Sequence, residues 1–119
     1  MRLPLSFTTA LLLLSGIATA EAADTTLLAA TAGFLLGNAH RCNLPAERIV
    51  RASQVIRDMI RVAAQNVDEE TGADARFAEA FSSRAYPDAN GESLLPSCAA
   101  VTMQFERLER HHQQAGFTD

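Results

Sequence analysis

The chain has 119 residues, a length that accommodates a single domain. Its formal net charge of −4 disfavours nucleic acid and anionic membranes as partners, because both select basic surfaces. All of its basic residues are arginines, which we attribute to compositional bias rather than to an anion-binding site.

The first 22 residues show the order of features that is typical of a secretory signal peptide. Arg2 supplies a positive charge, residues 10–17 form an apolar run, and small residues follow it. That run is far shorter than the roughly 18–20 apolar residues of a membrane-spanning helix, which disfavours a membrane anchor. We predict cleavage after Ala20 or Ala22 and a periplasmic or secreted mature domain over residues 23–119. No integral membrane segment is expected after cleavage.

Cys42 and Cys98 are the two cysteines of the chain. An even count in an exported protein predicts a disulfide, and two cysteines allow a single intramolecular pairing. Closing a loop of this length is worth about 4 kcal/mol in the chain-entropy treatment, which is comparable with the net stability of a small domain. We predict a structural bond, because the spacing is not that of a Cys-x-x-Cys redox motif.

Apolar residues recur at helical spacings through the mature chain, without the alternation that is typical of strands. The first helix is predicted over residues 25–40, with Asp24 or Thr25 as its cap. The second is predicted to be capped by Asn43, with Pro45 in its first turn. The expected core stripe of the first helix comprises Leu28, Ala32, Leu35 and Ala39. The apolar face of the second comprises Ile49, Ala52, Ile56, Met59 or Ile60, Ala63 and Val67.

Two further helices are predicted beyond an acidic segment. Residues 68–72 indicate either a break or the frayed start of the third helix, which ends before Pro87. The fourth is predicted to be capped by Ser93, with Pro96 in its first turn, and to end at Gly116. The third helix carries Phe77, Ala78, Phe81 and Ala85. The apolar face of the fourth is expected to contain Leu94, Cys98, Val101 or Thr102, Phe105, Leu108 and His112.

Together these elements predict an all-α fold, a small four-helix bundle stapled by one disulfide and preceded by a cleavable signal peptide. The bond should join the corner between the first two helices to the start of the fourth. Arginines of the second helix should lie close enough to the acids of residues 68–92 for the two sets of charges to neutralise each other.

The sequence contains no recognisable catalytic, metal-binding or nucleotide-binding motif. His111 and His112 are adjacent and point about 100° apart on a helix, whereas chelation needs a spacing of three or four residues. His40 could serve as a base for Cys98 only if that cysteine were not oxidised. We therefore predict a non-enzymatic protein without a cofactor or metal site, and leave the role of the three histidines open.

The segment GFLLGNAHRC (residues 33–42) and the later Phe77, Phe81 and Cys98 resemble a group of small, uncharacterised exported proteins of alphaproteobacteria. Those proteins combine a Leu-Gly-x-x-His-x-x-x-Cys-like segment with one later cysteine in the last helix. Here a single residue separates the histidine from the cysteine. This resemblance implies no activity. More distantly, the plan resembles the helical single-disulfide acid-stress chaperones of the periplasm, which implies an apolar binding surface bracketed by the two cysteines.

Two classes of function remain for such a domain. The first is a binding or envelope-stress protein that holds client proteins in the periplasm, in the manner of a holdase. The second is an inhibitor or immunity protein that binds one partner enzyme. The sequence does not indicate an oligomeric state. Large anchors for the core or for a binding surface are Phe34, Phe77, Phe81, Phe105 and Phe117.

Export and oxidation are directly testable. We expect the mature protein isolated from cells to begin at Glu21 or Ala23 and to show no free thiol when it is denatured without reductant. Mass spectrometry gives the first residue, and thiol titration gives the redox state. Two titratable thiols in freshly isolated protein would contradict the disulfide.

Overall fold

A computed structural model of the chain describes residues 25–88 and 94–114. This part contains four helices and no strand: α1 over residues 25–41, α2 over Ala46–Ala63, α3 over Val67–Ala85 and α4 over Cys98–Gln114. None of these helices combines the length and apolar character needed to cross a membrane. The predicted leader and cleavage sites lie outside the described residues, as do Asp24, Ser93, Gly116 and Phe117.

The corner between α1 and α2 is built differently from the prediction. Asn43 does not cap α2; it has a positive φ of 62° and terminates α1. The Leu44 N–H donates to the Ala39 carbonyl and the Asn43 N–H to the His40 carbonyl, both at 3.0 Å. This pair of bonds is a Schellman motif, in which asparagine tolerates the left-handed conformation better than most residues. Pro45 precedes α2 and provides no side-chain cap.

The start of α3 resolves the alternative left open for the acidic segment. Asn66 is the cap, and its Oδ1 accepts a hydrogen bond of 2.8 Å from the Glu69 N–H. Glu69 in turn accepts a hydrogen bond of 2.7 Å from the Gln65 N–H. The acids therefore form the first turn of α3, where the helix dipole favours them, and the break lies before them. Val67, predicted on the α2 face, belongs to α3 and is 75% exposed.

The predicted start of α4 was wrong by one turn. The helix begins at Cys98, and Ser97 caps it by accepting a hydrogen bond of 3.2 Å from the Ala100 N–H. A proline disfavours the helical conformation in the residue before it, so Pro96 keeps Leu95 out of the helix. Leu94 consequently lies outside α4 and is 84% exposed rather than on the apolar face.

The core lies where α1 meets the inner faces of the other helices. Helix α1 was predicted in the right place, but its register was partly wrong: Leu36 is fully buried, whereas Leu28 and Leu35 are only partly buried. On α2, Ile60 is fully buried whereas Ala63 is exposed. The core cluster comprises Ala29, Ala32, Leu36, Ala39, Ile49, Ala52, Ile56, Ile60, Ala73, Phe77, Val101 and Phe105.

Two glycines, four residues apart, bring α1 directly onto the backbone of α3. A Cβ atom at Gly33 would lie 2.6 Å from the Phe77 carbonyl oxygen and 2.8 Å from the Ala80 Cβ. A Cβ atom at Gly37 would clash with the Phe81 carbonyl oxygen. Both helices advance by four residues between the two contacts, so α1 and α3 run parallel. Only glycine permits so close an approach of the two backbones.

We expect Gly37→Ala to destabilise the fold by about 1–3 kcal/mol, because the added methyl group meets backbone atoms that cannot rotate away. Gly72→Ala is the matched control. Nothing lies within 4 Å of a Cβ at Gly72 in α3, so alanine should stabilise the helix by about 0.5–1 kcal/mol. Urea unfolding followed by circular dichroism measures both variants. Equal stabilisation by both would contradict the glycine contact.

Candidate binding site

An open apolar groove lies at one end of the bundle, where α1 begins and α2 ends. Its volume is about 380 Å³. Leu27 forms part of its wall and is 61% exposed. The lining residues are Thr25, Leu27, Leu28, Thr31 and Ala63.

Two exposed valines lie close to Ala63 in sequence. Val62 is 87% exposed at the end of α2, and Val67 is 75% exposed at the start of α3. Val62 lies about 200° around the helix from the buried Ile60, so it must face away from the core. Isolated exposed apolar residues are ordinary, and neither valine belongs to the lining of the groove.

Charges of both signs lie near this end of the bundle. Arg61 forms an ion pair with Asp58 at 2.8 Å and a longer one with Glu70 at 3.8 Å. The contact between Arg61 and Glu70 is where the predicted neutralisation between the second and third helices occurs. Such exposed pairs contribute about 1 kcal/mol or less to stability. They keep the charged groups satisfied without filling the groove.

A bidentate ion pair joins the second half of α4 to α2. The Arg48 Nε donates to Glu109 Oε2 at 3.0 Å, and the Arg48 Nη2 donates to Glu109 Oε1. The same guanidinium lies 5.3 Å from the centre of the Phe105 ring, which is fully buried. The hydrogen bond to Glu109 raises the pKa of Arg48 above its usual value. Arg48 is therefore an exception to the expectation that the arginines of α2 lie close to the acids of residues 68–92.

The disulfide cross-links the opposite end of α4 to the end of α1. The Sγ atoms of Cys42 and Cys98 lie 2.10 Å apart, at bonding distance, and their Cα atoms are 5.6 Å apart. Beside them the Arg41 guanidinium donates to the Asn38 Oδ1 at 3.1 Å and to the Pro96 carbonyl at 3.0 Å. The corner of α1 and α2 is thus joined to the start of α4, as the sequence predicted.

The three histidines lie in different surroundings. His40 is exposed, and its ring centre lies 5.9 Å from that of Phe81 and 5.4 Å from that of Tyr86. His112 is 4% exposed on the inner face of α4, where burial, and then the neighbouring charge of His111, lower its pKa. Within residues 25–88 and 94–114, no three histidine, cysteine or acidic side chains converge on a point where a metal could bind.

One aromatic contact was not foreseen. The ring of Phe34 on α1 lies beneath two arginines of α3, with the guanidinium carbons of Arg84 and Arg76 at 4.7 and 5.7 Å from its centre. Such cation–π contacts contribute about 0.5–1 kcal/mol each when they are partly exposed. The two arginines are eight residues apart on α3, and the ring that they contact belongs to another helix. The pattern of charges along α3 alone therefore does not predict the contact. Phe34 is therefore only half-buried, whereas Phe77 and Phe105 are in the core.

Burial of His112 predicts a stability that depends on pH. Its pKa is lowered in the folded state, so below about pH 6.5 the unfolded chain binds a proton that the folded chain resists. As the pH is lowered below this value, the free energy of unfolding should then decrease by up to about 1.4 kcal/mol per pH unit, until His112 is protonated in the folded state too. We expect His112→Gln to flatten this slope between pH 6.5 and 5, as measured by urea unfolding. An unchanged slope would contradict the assignment.

These contacts place an apolar groove at the amino end of α1 and a disulfide at its carboxyl end. Within residues 25–88 and 94–114 we find no group of side chains arranged for a reaction. Comparison of the chain with models of known protein families, with curated proteins and with solved structures found no match. The groove, whose wall includes the exposed side chain of Leu27, is a candidate binding surface among the described residues.

Proposed function

We propose that the chain is a non-enzymatic exported protein that holds apolar segments of other proteins in the periplasm, in the manner of a holdase. The observation that carries this proposal is the open apolar groove, whose wall includes the exposed side chain of Leu27. A surface of this kind is costly to leave in water unless something covers it part of the time.

The chemistry of the groove suits side chains rather than one defined ligand. Its volume of about 380 Å³ is near the lower end of the range found for small-molecule sites. Its lining is mostly apolar, with Thr31 as its exposed threonine and Thr25 fully buried, whereas a specific ligand site needs several polar groups that fix orientation. Burial of one leucine or phenylalanine of a client would contribute about 1.5–3 kcal/mol. Binding at this strength is weak, reversible and broad in selectivity.

The remaining contacts of the bundle suit a protein that must stay folded while it exposes apolar groups. The disulfide and the Arg48–Glu109 ion pair fix α4 at two points remote from the groove. A disulfide also fits an oxidising compartment, which supports export together with the leader-like first 22 residues.

The test uses a matched pair of substitutions on α2. Val62→Asp places a charge on the residue next to Ala63, which lines the groove, whereas Val50→Asp places the same charge on an exposed valine twelve positions earlier, about 18 Å away along the helix. Both sites are exposed (87% and 55%), so neither substitution should unfold the protein. We expect the wild type and Val50→Asp to slow aggregation of a reporter protein diluted from guanidinium chloride. Val62→Asp should lose most of this effect, as measured by light scattering.

Several outcomes would contradict the proposal. One is a wild type without effect on aggregation at tenfold molar excess, and another is an equal effect of the two substitutions. Affinity capture from periplasm provides a second readout with the same variants. Many captured proteins whose binding is weakened by Val62→Asp would support the holdase, whereas one stoichiometric enzyme would favour the alternative of an inhibitor or immunity protein.

A further inference from the structure

The two sulfurs of the disulfide lie at helix ends that carry opposite partial charges. Cys42 directly follows residue 41, the last of α1, so its sulfur lies at the carboxyl end of that helix. Cys98 is the first residue of α4 and lies at an amino end. Aligned peptide dipoles give a helix a partial positive charge at its amino end and a partial negative charge at its carboxyl end. In the reduced protein, a thiolate is therefore favoured at Cys98 and disfavoured at Cys42.

Solvent exposure also favours reaction at the sulfur of Cys98. Cys98 is exposed, whereas Cys42 is half-buried and packs against the core cluster. The fixed positive charge of Arg41 lies close to the start of α4, since its guanidinium donates to the carbonyl of Pro96, two residues before Cys98. Reactive cysteines combine partial exposure with an electropositive setting, and buried cysteines in apolar surroundings react slowly.

We propose that Cys98 is the reactive sulfur of the pair, the site at which disulfide-bearing oxidants form the bond. The Cys98 thiolate attacks one sulfur of an external disulfide; a mixed disulfide forms on Cys98, and the other oxidant sulfur leaves as a thiolate. Cys42 then loses its proton to solvent and attacks the Cys98 Sγ, which forms the internal bond and expels the second oxidant thiolate. The protein loses two electrons and two protons, and the oxidant is reduced to two thiols.

The geometry favours this order of events. An adduct on the exposed Cys98 can project into solvent, while Cys42 lies within reach because the two Cα atoms are 5.6 Å apart. An adduct on Cys42 would have to be accommodated against the core cluster. The chemical class of the ligand is a disulfide, which a small molecule or an oxidoreductase could supply equally.

The test compares the two cysteines one at a time in the otherwise complete mature protein. Cys42→Ser leaves Cys98 as the single thiol, and Cys98→Ser leaves Cys42. Alkylation by iodoacetamide is followed from pH 5 to 10. Cys98 should reach its half-maximal rate at the lower pH and should react about tenfold faster at pH 7. In 6 M guanidinium chloride the difference should vanish, because it arises from the fold.

A second measurement covers the case in which a single-cysteine variant does not fold. Reduced wild-type protein is mixed with oxidised glutathione, quenched with acid at early times and mapped by mass spectrometry. We expect glutathione mainly on Cys98. Equal labelling of both cysteines, an excess on Cys42, or equal alkylation rates in folded variants would overturn the proposal. This inference is independent of the groove and of the proposed holdase function.

Discussion

The close contact between α1 and α3 at Gly33 and Gly37 determines most of what surrounds it. Because α1 and α3 run parallel in direct contact, α2, which connects them in the chain, must run beside them in the opposite direction. The same contact places Phe34 beneath the arginines of α3 and brings His40 against Phe81 and Tyr86. It also leaves the first turn of α1 beside the last turn of α2, where the groove forms.

Helix α4 depends on side chains for its place on this three-helix unit. Val101 and Phe105 are fully buried in the common core, and the two ends of the helix are fixed separately. The ion pair of Arg48 with Glu109 is accessible to water and salt, so about 1 kcal/mol is the scale of its contribution. The disulfide, at about 4 kcal/mol in the chain-entropy treatment, is the stronger of the two attachments. The position of α4 is thus coupled to redox state more than to ionic strength.

The features that follow from local chemistry were predictable. The existence of four helices, the buried positions Ile49, Ala52 and Ile56 of α2, the end of α3 before Pro87 and the pairing of the cysteines all follow from periodicity or from cysteine arithmetic. The structural role of Asn43 could not be predicted, because asparagine is common both before a helix and after one. Only the geometry of the α1–α2 corner distinguishes the two.

The register of α1 could not be read from hydrophobicity, since this helix is apolar on nearly every side. Gly33 and Gly37 decide it, because they turn the side with the smallest residues toward α3 and leave Leu36 to the core. The groove was unpredictable for a related reason. Leu27 lies about 200° around α1 from the buried Ala29, and the groove beside it forms only where the start of α1 meets the end of α2.

The two proposals concern opposite ends of α1, and this separation has a physical consequence. A helix of its length spans roughly 25 Å, with the groove at the amino end and Cys42 just past the carboxyl end. No contact of the disulfide reaches the groove directly. Reduction would therefore alter the groove only by loosening the bundle as a whole, through the contact of α1 with α3 and the docking of α4. The glycine contact, rather than the disulfide, then sets the local shape of the groove, while the disulfide sets how often the whole bundle opens.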